Sequence, residues 1–227
     1  MGISPGWKKR DLRDMARRTK EEALETRTRL LDAAEELFLR NGLSHTSLHD
    51  IAQAAGVTRG AVYWHFKDKA ELFNAMMDRA TMPFEKTRIT LCDDLRRDPL
   101  GQIRANMMMA LSVTAHDAHV RRAFEIAMHK VEYVGEQTVL RDRHLSERNR
   151  CMLEVEIALR AALERKLIRE DIPLRTLALG LFSVMDGLLN NWLLDPNAFD
   201  LVEVGSHIID VHLAGVSCRR ILPAVTP

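Results

Sequence analysis

Residues 46–72 read TSLHDIAQAAGVTRGAVYWHFKDKAEL, and this stretch decides the fold. Leu48, Ile51, Ala52 and Ala55 recur at helical spacing, which builds one short helix with a single inward face. Ser47 precedes that run and Asp50 follows three residues later, the pattern of a capping box. Gly56 then stops the helix, because glycine takes the left-handed conformation of a tight exit at no steric cost. Val57 fills the corner. Thr58 can cap a second helix over Arg59–Phe66, whose Val62 and Phe66 face inward at i, i+4.

Two short helices joined by a glycine turn, with small alanines where they cross, make a helix-turn-helix. The outward face of the second helix carries Arg59, Gly60, Tyr63, Trp64 and His65. That mixture suits a DNA groove. Arginine can read guanine edges, Gly60 and Ala61 allow close backbone approach, and Tyr63 and His65 can reach phosphates. Lys67 and Lys69 follow where a third helix begins, near the flanking phosphate backbone.

The segment IAQAAGVTRGAVYWHFKDKAELF, residues 51–73, resembles the DNA-binding motif of TetR-type bacterial repressors. More narrowly it is similar to the AcrR-like branch that controls multidrug efflux genes. The resemblance continues through MARRTKEEALETRTRLLDAAEELFLRNG from Met15, then FEIAMHKVEYVGE from Phe124 and MDGLLNNWLLDPNAFDL from Met185. It implies base or close-groove contact for Arg59, Gly60, Ala61 and Trp64. Phosphate contact falls to Ser47, Thr58, Tyr63, His65 and Lys69. It further implies a homodimer built on a four-helix interface, and a ligand pocket lined by the MDGL position, here Asp186. The function so implied is a ligand-responsive repressor on a palindromic operator, controlling a multidrug efflux pump and released by hydrophobic toxic compounds. Two other readings stand beside it: a regulator of other genes sensing a metabolite or lipid, and a small-molecule binding module without regulatory DNA binding.

The 227 residues suffice for one large or two small domains. Hydrophobic residues make up 46% and aromatics only 5%, which favours a core of Leu, Ala, Val and Met. The net charge of +1 does not announce a nucleic-acid binder, and its distribution says more. Residues 1–20 hold seven basic side chains against two acidic ones, a surplus of +5, so the rest of the chain sums to −4. Basic charge gathered at one end fits an arm that neutralises phosphates, and equally a solvated tail. Cys92, Cys151 and Cys218 have no paired spacing, which fits neither a disulfide framework nor a zinc site and suggests a reducing compartment. No apolar segment adjoins the basic N-terminus, so no signal peptide is expected. The most apolar stretch, Leu177–Leu194, is interrupted by Asp186, Asn190 and Asn191 and reads as too polar for lipid. The expected compartment is the cytoplasm.

In chain order, residues 1–19 lack a sustained apolar period and read as a basic arm, the first 14 of them an extension before Met15. Residues 20–67 make the three-helix DNA-binding domain, with Leu24, Leu30, Leu31, Ala34, Leu37 and Phe38 buried on its first helix. Residues 68–216 make a larger helical ligand-binding and dimerisation domain, and 217–227 a disordered tail. A fourth helix begins at Asp68 and breaks at Pro83; another runs from Phe84 to Arg96. Further helices span Leu100–Ala115, Ala118–Val139, Leu145–Leu167, Leu174–Leu194 and Phe199–Val216. The result is an all-α chain of about ten helices.

Within the second domain Ile103, Met107, Ala110, Phe124, Met128, Cys151, Val155, Phe182 and Met185 converge inward, with Glu125, His129, Glu132 and Asp186 able to orient a ligand. Apolar walls with a few polar groups describe a small-molecule site, and an ordinary helical core as well. Asp186 stands out, because a carboxylate inside LFSVMDGLL requires a partner or a ligand. Leu181, Val184, Leu188 and Trp192 form a stripe for a dimer interface, and two-fold symmetry suits a reader whose single head covers one half-site. No paired Glu-x-x-His repeat, nucleophile–base signature or phosphate-cradling glycine loop is present. Neither catalysis, a metal nor a cofactor is expected.

Overall fold

The computed structural model describes residues 6–91, 98–132 and 138–217, and they hold nine helices and no strand. These are α1 (Gly6–Asn41), α2 (Leu48–Ala54), α3 (Arg59–His65), α4 (Lys69–Leu91) and α5 (Pro99–His116). α6 (Ala118–His129), α7 (Thr138–Glu164), α8 (Leu174–Leu194) and α9 (Leu201–Ser217) complete the set. The all-α class is therefore as the sequence implies.

Several boundaries differ from expectation: α6 stops at His129 rather than Val139, and α7 runs Thr138–Glu164 rather than Leu145–Leu167. The first helix reaches back to Gly6, through the stretch read as an arm. Its Lys, Arg, Met and Ala residues are good helix formers whether or not an apolar stripe accompanies them, so periodicity alone underestimates the helix. Further on, α4 passes through Pro83 without a break. A proline removes one backbone hydrogen bond, which a long helix can lose and still continue. Residues 92–97, where that second segment was to end, and the tail from 218 lie outside the described residues.

Contacts divide the chain between Met76 and Met77, inside α4. In the first unit α2 packs on both α1 and α3. Its core is Leu30, Leu31, Ala34, Phe38, Leu43, Ile51, Ala52, Val62, Phe66, Leu72 and Met76, all nearly inaccessible. The rings of Phe38 and Phe73 meet at 6.5 Å between centroids, which fixes α1 against the start of α4. Leu24, expected in this core, is 55% exposed.

In the second unit α5 lies against α6, α7 and α9, while α8 packs on α6, α7 and α9. Leu111, Leu159, Ala178, Leu181 and Ile209 form the centre. Gly205 explains the close approach of α9 to α5: a Cβ there would fall 2.2 Å from a methyl of Leu111. The same pair of helices is clipped by Arg104, whose guanidinium donates to both carboxylate oxygens of Asp210 at 2.6 and 2.9 Å and to Ser206 at 2.8 Å. Among the described residues α8 is the one helix long and apolar enough to cross a membrane. Its Leu177, Ala178, Leu181, Leu188, Leu189, Trp192 and Leu193 are instead buried in the bundle.

Candidate nucleic-acid interface and ligand cavity

The turn between α2 and α3 is built as its residues dictate. Ser47 Oγ accepts from the Asp50 N–H at 3.2 Å while the Asp50 carboxylate accepts from the Ser47 N–H at 2.9 Å, a complete capping box. The Ser47 hydroxyl and N–H both stabilise the ionised carboxylate, so Asp50 titrates below the usual carboxylate range. Gly56 sits at φ +64°, and Val57 N–H closes the turn onto the Ala52 carbonyl at 3.0 Å. Thr58 then caps α3, its hydroxyl accepting from the Ala61 N–H at 3.2 Å.

Because Val62 and Phe66 are buried, the rest of α3 points outward. Arg59, Gly60, Tyr63 and Trp64 are exposed and Ala61 is half-buried. Trp64 is 73% exposed, and its ring edge meets His65 at 4.5 Å. Most of the indole is thus left in water on a seven-residue helix. The Arg59 guanidinium lies 5.6 Å from the Tyr63 ring centroid, which biases its direction without fixing its donors. His65 is half-buried, and burial first, then the charge of Arg27, pushes its imidazole pKa below the usual value. Arg27 itself stacks over Phe66 at 5.2 Å.

One expected phosphate contact is committed elsewhere. Lys69 Nζ donates to the carbonyls of Leu43 at 2.7 Å and Thr46 at 2.9 Å. Leu43 and Thr46 follow α1, whose last carbonyls and connecting loop need donors, and a half-buried ammonium supplies them. Lys67 stays exposed at the surface, with its N–H donating to Glu71 at 2.7 Å while Asp68 accepts from the Glu71 N–H at 2.8 Å.

In the second unit a cavity of about 390 Å³ opens between α5, α7 and α8. Ile103, Met107, Ala110, Cys151, Val155, Phe182 and Met185 of the sequence-derived set line it. Met152, Ile157, Ala158 and Leu181 complete its apolar wall, and Gln102, Asn106 and Glu154 are its polar groups. Phe124 and Met128 do not reach it: Phe124 stacks on Phe84 of α4, centroids 6.0 Å apart and planes 7° from parallel. Asp186 is corrected too. It is exposed on the single chain, because the helical turn carrying Met185 to the cavity rotates its neighbour by about 100° to the outside. Glu125 and His129 are half-buried and Glu132 exposed, all outside the cavity lining. Gln102 and Asn106 were legible in principle, since they share the α5 turns of Ile103 and Met107.

The proposed dimer stripe separates into two groups. Leu181, Leu188 and Trp192 are buried within the single chain, and only Val184 opens outward. Val184 borders a shallow apolar depression with His207, Ile208, Val211 and His212. Val211 is 74% exposed, and Leu179 and Leu194 are also exposed on α8. His212 lies against the backbone face of Gly180, and burial lowers its imidazole pKa.

The model of bacterial regulatory proteins of the tetR family matches residues 30–76, and that of the C-terminal region of MAATS-type transcriptional repressors matches 98–217. The chain belongs to the tetR family. The transcriptional regulator AcrR of Shigella flexneri is 39% identical over 190 residues, 82% of this chain and 87% of that protein. The probable regulator ArpR of Pseudomonas putida is 36% identical over 211 residues, 93% and 99% of the two chains. Among solved structures, NalD, the secondary repressor of the MexAB-OprM multidrug efflux pump in Pseudomonas aeruginosa, superposes with a TM-score of 0.79 at 35% identity. That match covers 87% of this chain and 98% of NalD. A SmeT–triclosan complex matches with a TM-score of 0.75 at 30% identity, over 89% and 97% of the chains. The members of this family that the chain resembles are regulators of transcription, not enzymes.

Proposed function

We propose that this protein is a dimeric, ligand-responsive repressor of a multidrug efflux operon, acting in the bacterial cytoplasm on a near-palindromic operator. The observation that carries the reading is α3, whose capped start, buried Val62 and outward Arg59, Tyr63 and Trp64 present an exposed polar and aromatic face with no partner element among the described residues. Arg59 donates to base edges, Gly60 and Ala61 admit the groove wall, and Thr58, Tyr63, His65 and Lys67 meet phosphates. Two heads are required because one short helix reads only a half-site. The second copy seats on the exposed apolar faces of α8 and α9 around Val184, Ile208 and Val211. A hydrophobic toxic compound occupies the α5–α7–α8 cavity, whose volume falls in the range of drug-sized sites.

Two contacts support α4 as the element through which ligand and DNA communicate. Asp78 of α4 accepts from Arg143 of α7 at 2.7 Å, and Phe84 of α4 stacks on Phe124 of α6. A ligand that prefers the non-binding arrangement by a few kcal/mol empties the operator, and DNA opposes the ligand by the same free energy. The similarity to NalD and SmeT, each a repressor of a multidrug efflux pump, supports the efflux assignment.

The test is titration of the protein against its own upstream intergenic DNA at fixed salt, with and without a panel of hydrophobic antimicrobials. Tight specific binding relieved by one compound supports every element of the proposal. Relief only by a metabolite or lipid would replace the efflux assignment. Failure on both this DNA and a random operator library would leave a binding module without regulatory DNA contact.

A further inference from the structure

The basic surplus of residues 1–20 falls within a helix, since α1 runs unbroken from Gly6 to Asn41. At 3.6 residues per turn, Lys9, Arg13, Arg17, Lys20 and Arg27 share one side of it, and Lys9 stands five whole turns, about 27 Å, before Arg27. Asp11, Asp14, Glu21, Glu22 and Glu25 gather on another side, centred about 140° away around the axis. Charge is therefore sorted by sign around the helix. A helix that is simply solvated sets opposite charges four apart, where they pair, whereas Lys9, Arg13 and Arg17 set like charges there, where they repel. Such a row is stabilised by an anionic surface outside the chain.

Arg27 fixes which way the row faces. Its guanidinium lies over Phe66, the residue that closes α3, at 5.2 Å. The row thus continues, beyond the core, the side of α1 against which the recognition helix ends. That side is open: Lys20 is exposed, Leu24 is 55% exposed, and Leu30 is the first buried residue after Thr19.

We propose that the N-terminal turns of α1 are a second DNA-contacting element, in which Lys9, Arg13, Arg17 and Lys20 follow the phosphates flanking the half-site that α3 reads. The proposal rests on the repressor reading above. Phosphates lying along the row remove its self-repulsion and release their counterions, which strengthens binding. Phosphate contacts carry no base information, so this element adds affinity, salt dependence and a longer footprint but no sequence preference.

Binding of the full chain to its own upstream intergenic DNA, or to a duplex selected from a random operator library, tests this when followed across salt concentrations. Lys9→Gln with Arg13→Gln should make the slope of log affinity against log salt shallower by about two units per head. The footprint should retreat toward the half-sites, and the selected sequence should stay the same. Glutamine is nearly as good a helix former as lysine or arginine, so α1 is retained. Lys8→Gln with Arg18→Gln removes the same charge from other sides of the helix and should change the slope by less than half as much. Equal losses in the two double variants would reduce the effect to net charge and overturn the proposal. An unchanged slope in the Lys9/Arg13 variant overturns it too; if the full chain but not that variant then binds phosphatidylglycerol vesicles, the row serves a lipid surface instead. In both cases specific binding through α3 survives. If the full chain binds neither its own upstream DNA nor any member of the library, the repressor reading itself fails and the proposal falls with it.

Discussion

The ammonium of Lys69, at the first turn of α4, donates to the carbonyl of Leu43 at 2.7 Å and so ties the α1–α2 connection to the fourth helix. Thr46 accepts a second bond from it at 2.9 Å, and the Thr46 hydroxyl itself turns back onto the Gly42 carbonyl at 2.9 Å. The contact is a structural clamp inside the helix-turn-helix unit. Lys69→Met should cost about 1.5–3 kcal/mol of stability, the range for hydrogen bonds to a charged group. It should leave the salt dependence of operator binding unchanged. A phosphate contact would behave the opposite way, losing roughly one unit of salt slope with little change in melting. Denaturant unfolding and binding at three salt concentrations separate the two.

On α3, Arg59 and Trp64 divide the expected reading of DNA. Arg59→Ala should cost about 1–3 kcal/mol of operator affinity and relax preference at one base pair of each half-site. Thr58→Ala acts differently. It removes the cap on the Ala61 N–H, at about 1 kcal/mol of stability, together with the proposed phosphate contact, so it should weaken binding to all operators alike without relaxing sequence preference. Selection of operators from a random library, run on both variants, shows whether specificity moves with Arg59 alone.

Much of this was legible because short-range rules govern it. The Ser47–Asp50 capping box, the left-handed Gly56 and the Thr58 cap depend on residues three or four apart, and all three occur as the sequence specifies. What depended on rotation about a long helix was less legible. Asp186 and Met185 are sequence neighbours, yet one is outside and the other lines the cavity. The partners of Lys69 were hidden for a related reason: Leu43 and Thr46 lie 26 and 23 residues away, beyond any local pattern. Glu154 was passed over because a charge on a helix normally marks the solvated side.

His65 gives opposite pH responses in stability and binding. Burial and Arg27 lower its pKa in the folded chain, so the neutral form is the one the fold favours. The resulting stability is fully present above the unfolded value near 6.5 and is lost as pH falls through the folded pKa. A DNA phosphate, in contrast, favours the imidazolium. Acidification from about pH 7.5 to about pH 5.5 should therefore tighten operator binding while lowering the melting temperature. His65→Gln should flatten the protein's own contribution to both trends. Imidazole titration by NMR, free and operator-bound, checks the direction at the residue itself; an upward shift in the free protein would contradict the assignment.

The two ends of the α8–α9 surface should respond differently to substitution. Trp192 is buried in the single chain, so Trp192→Ala opens a cavity and should cost about 3–5 kcal/mol of stability at any protein concentration. Val211 is 74% exposed and touches the depression beside Ile208 and His212. Val211→Glu adds a charge without disturbing the chain's own core, so a monomer carrying it should keep its helical content. Across a two-fold axis the same change places two carboxylates in one apolar contact, where burying them is far costlier than burying valine. Sedimentation should then show a monomer for Val211→Glu, with operator affinity falling because each head binds a half-site alone. A Val211→Glu protein that still sediments as a dimer would place the interface on another face of the bundle.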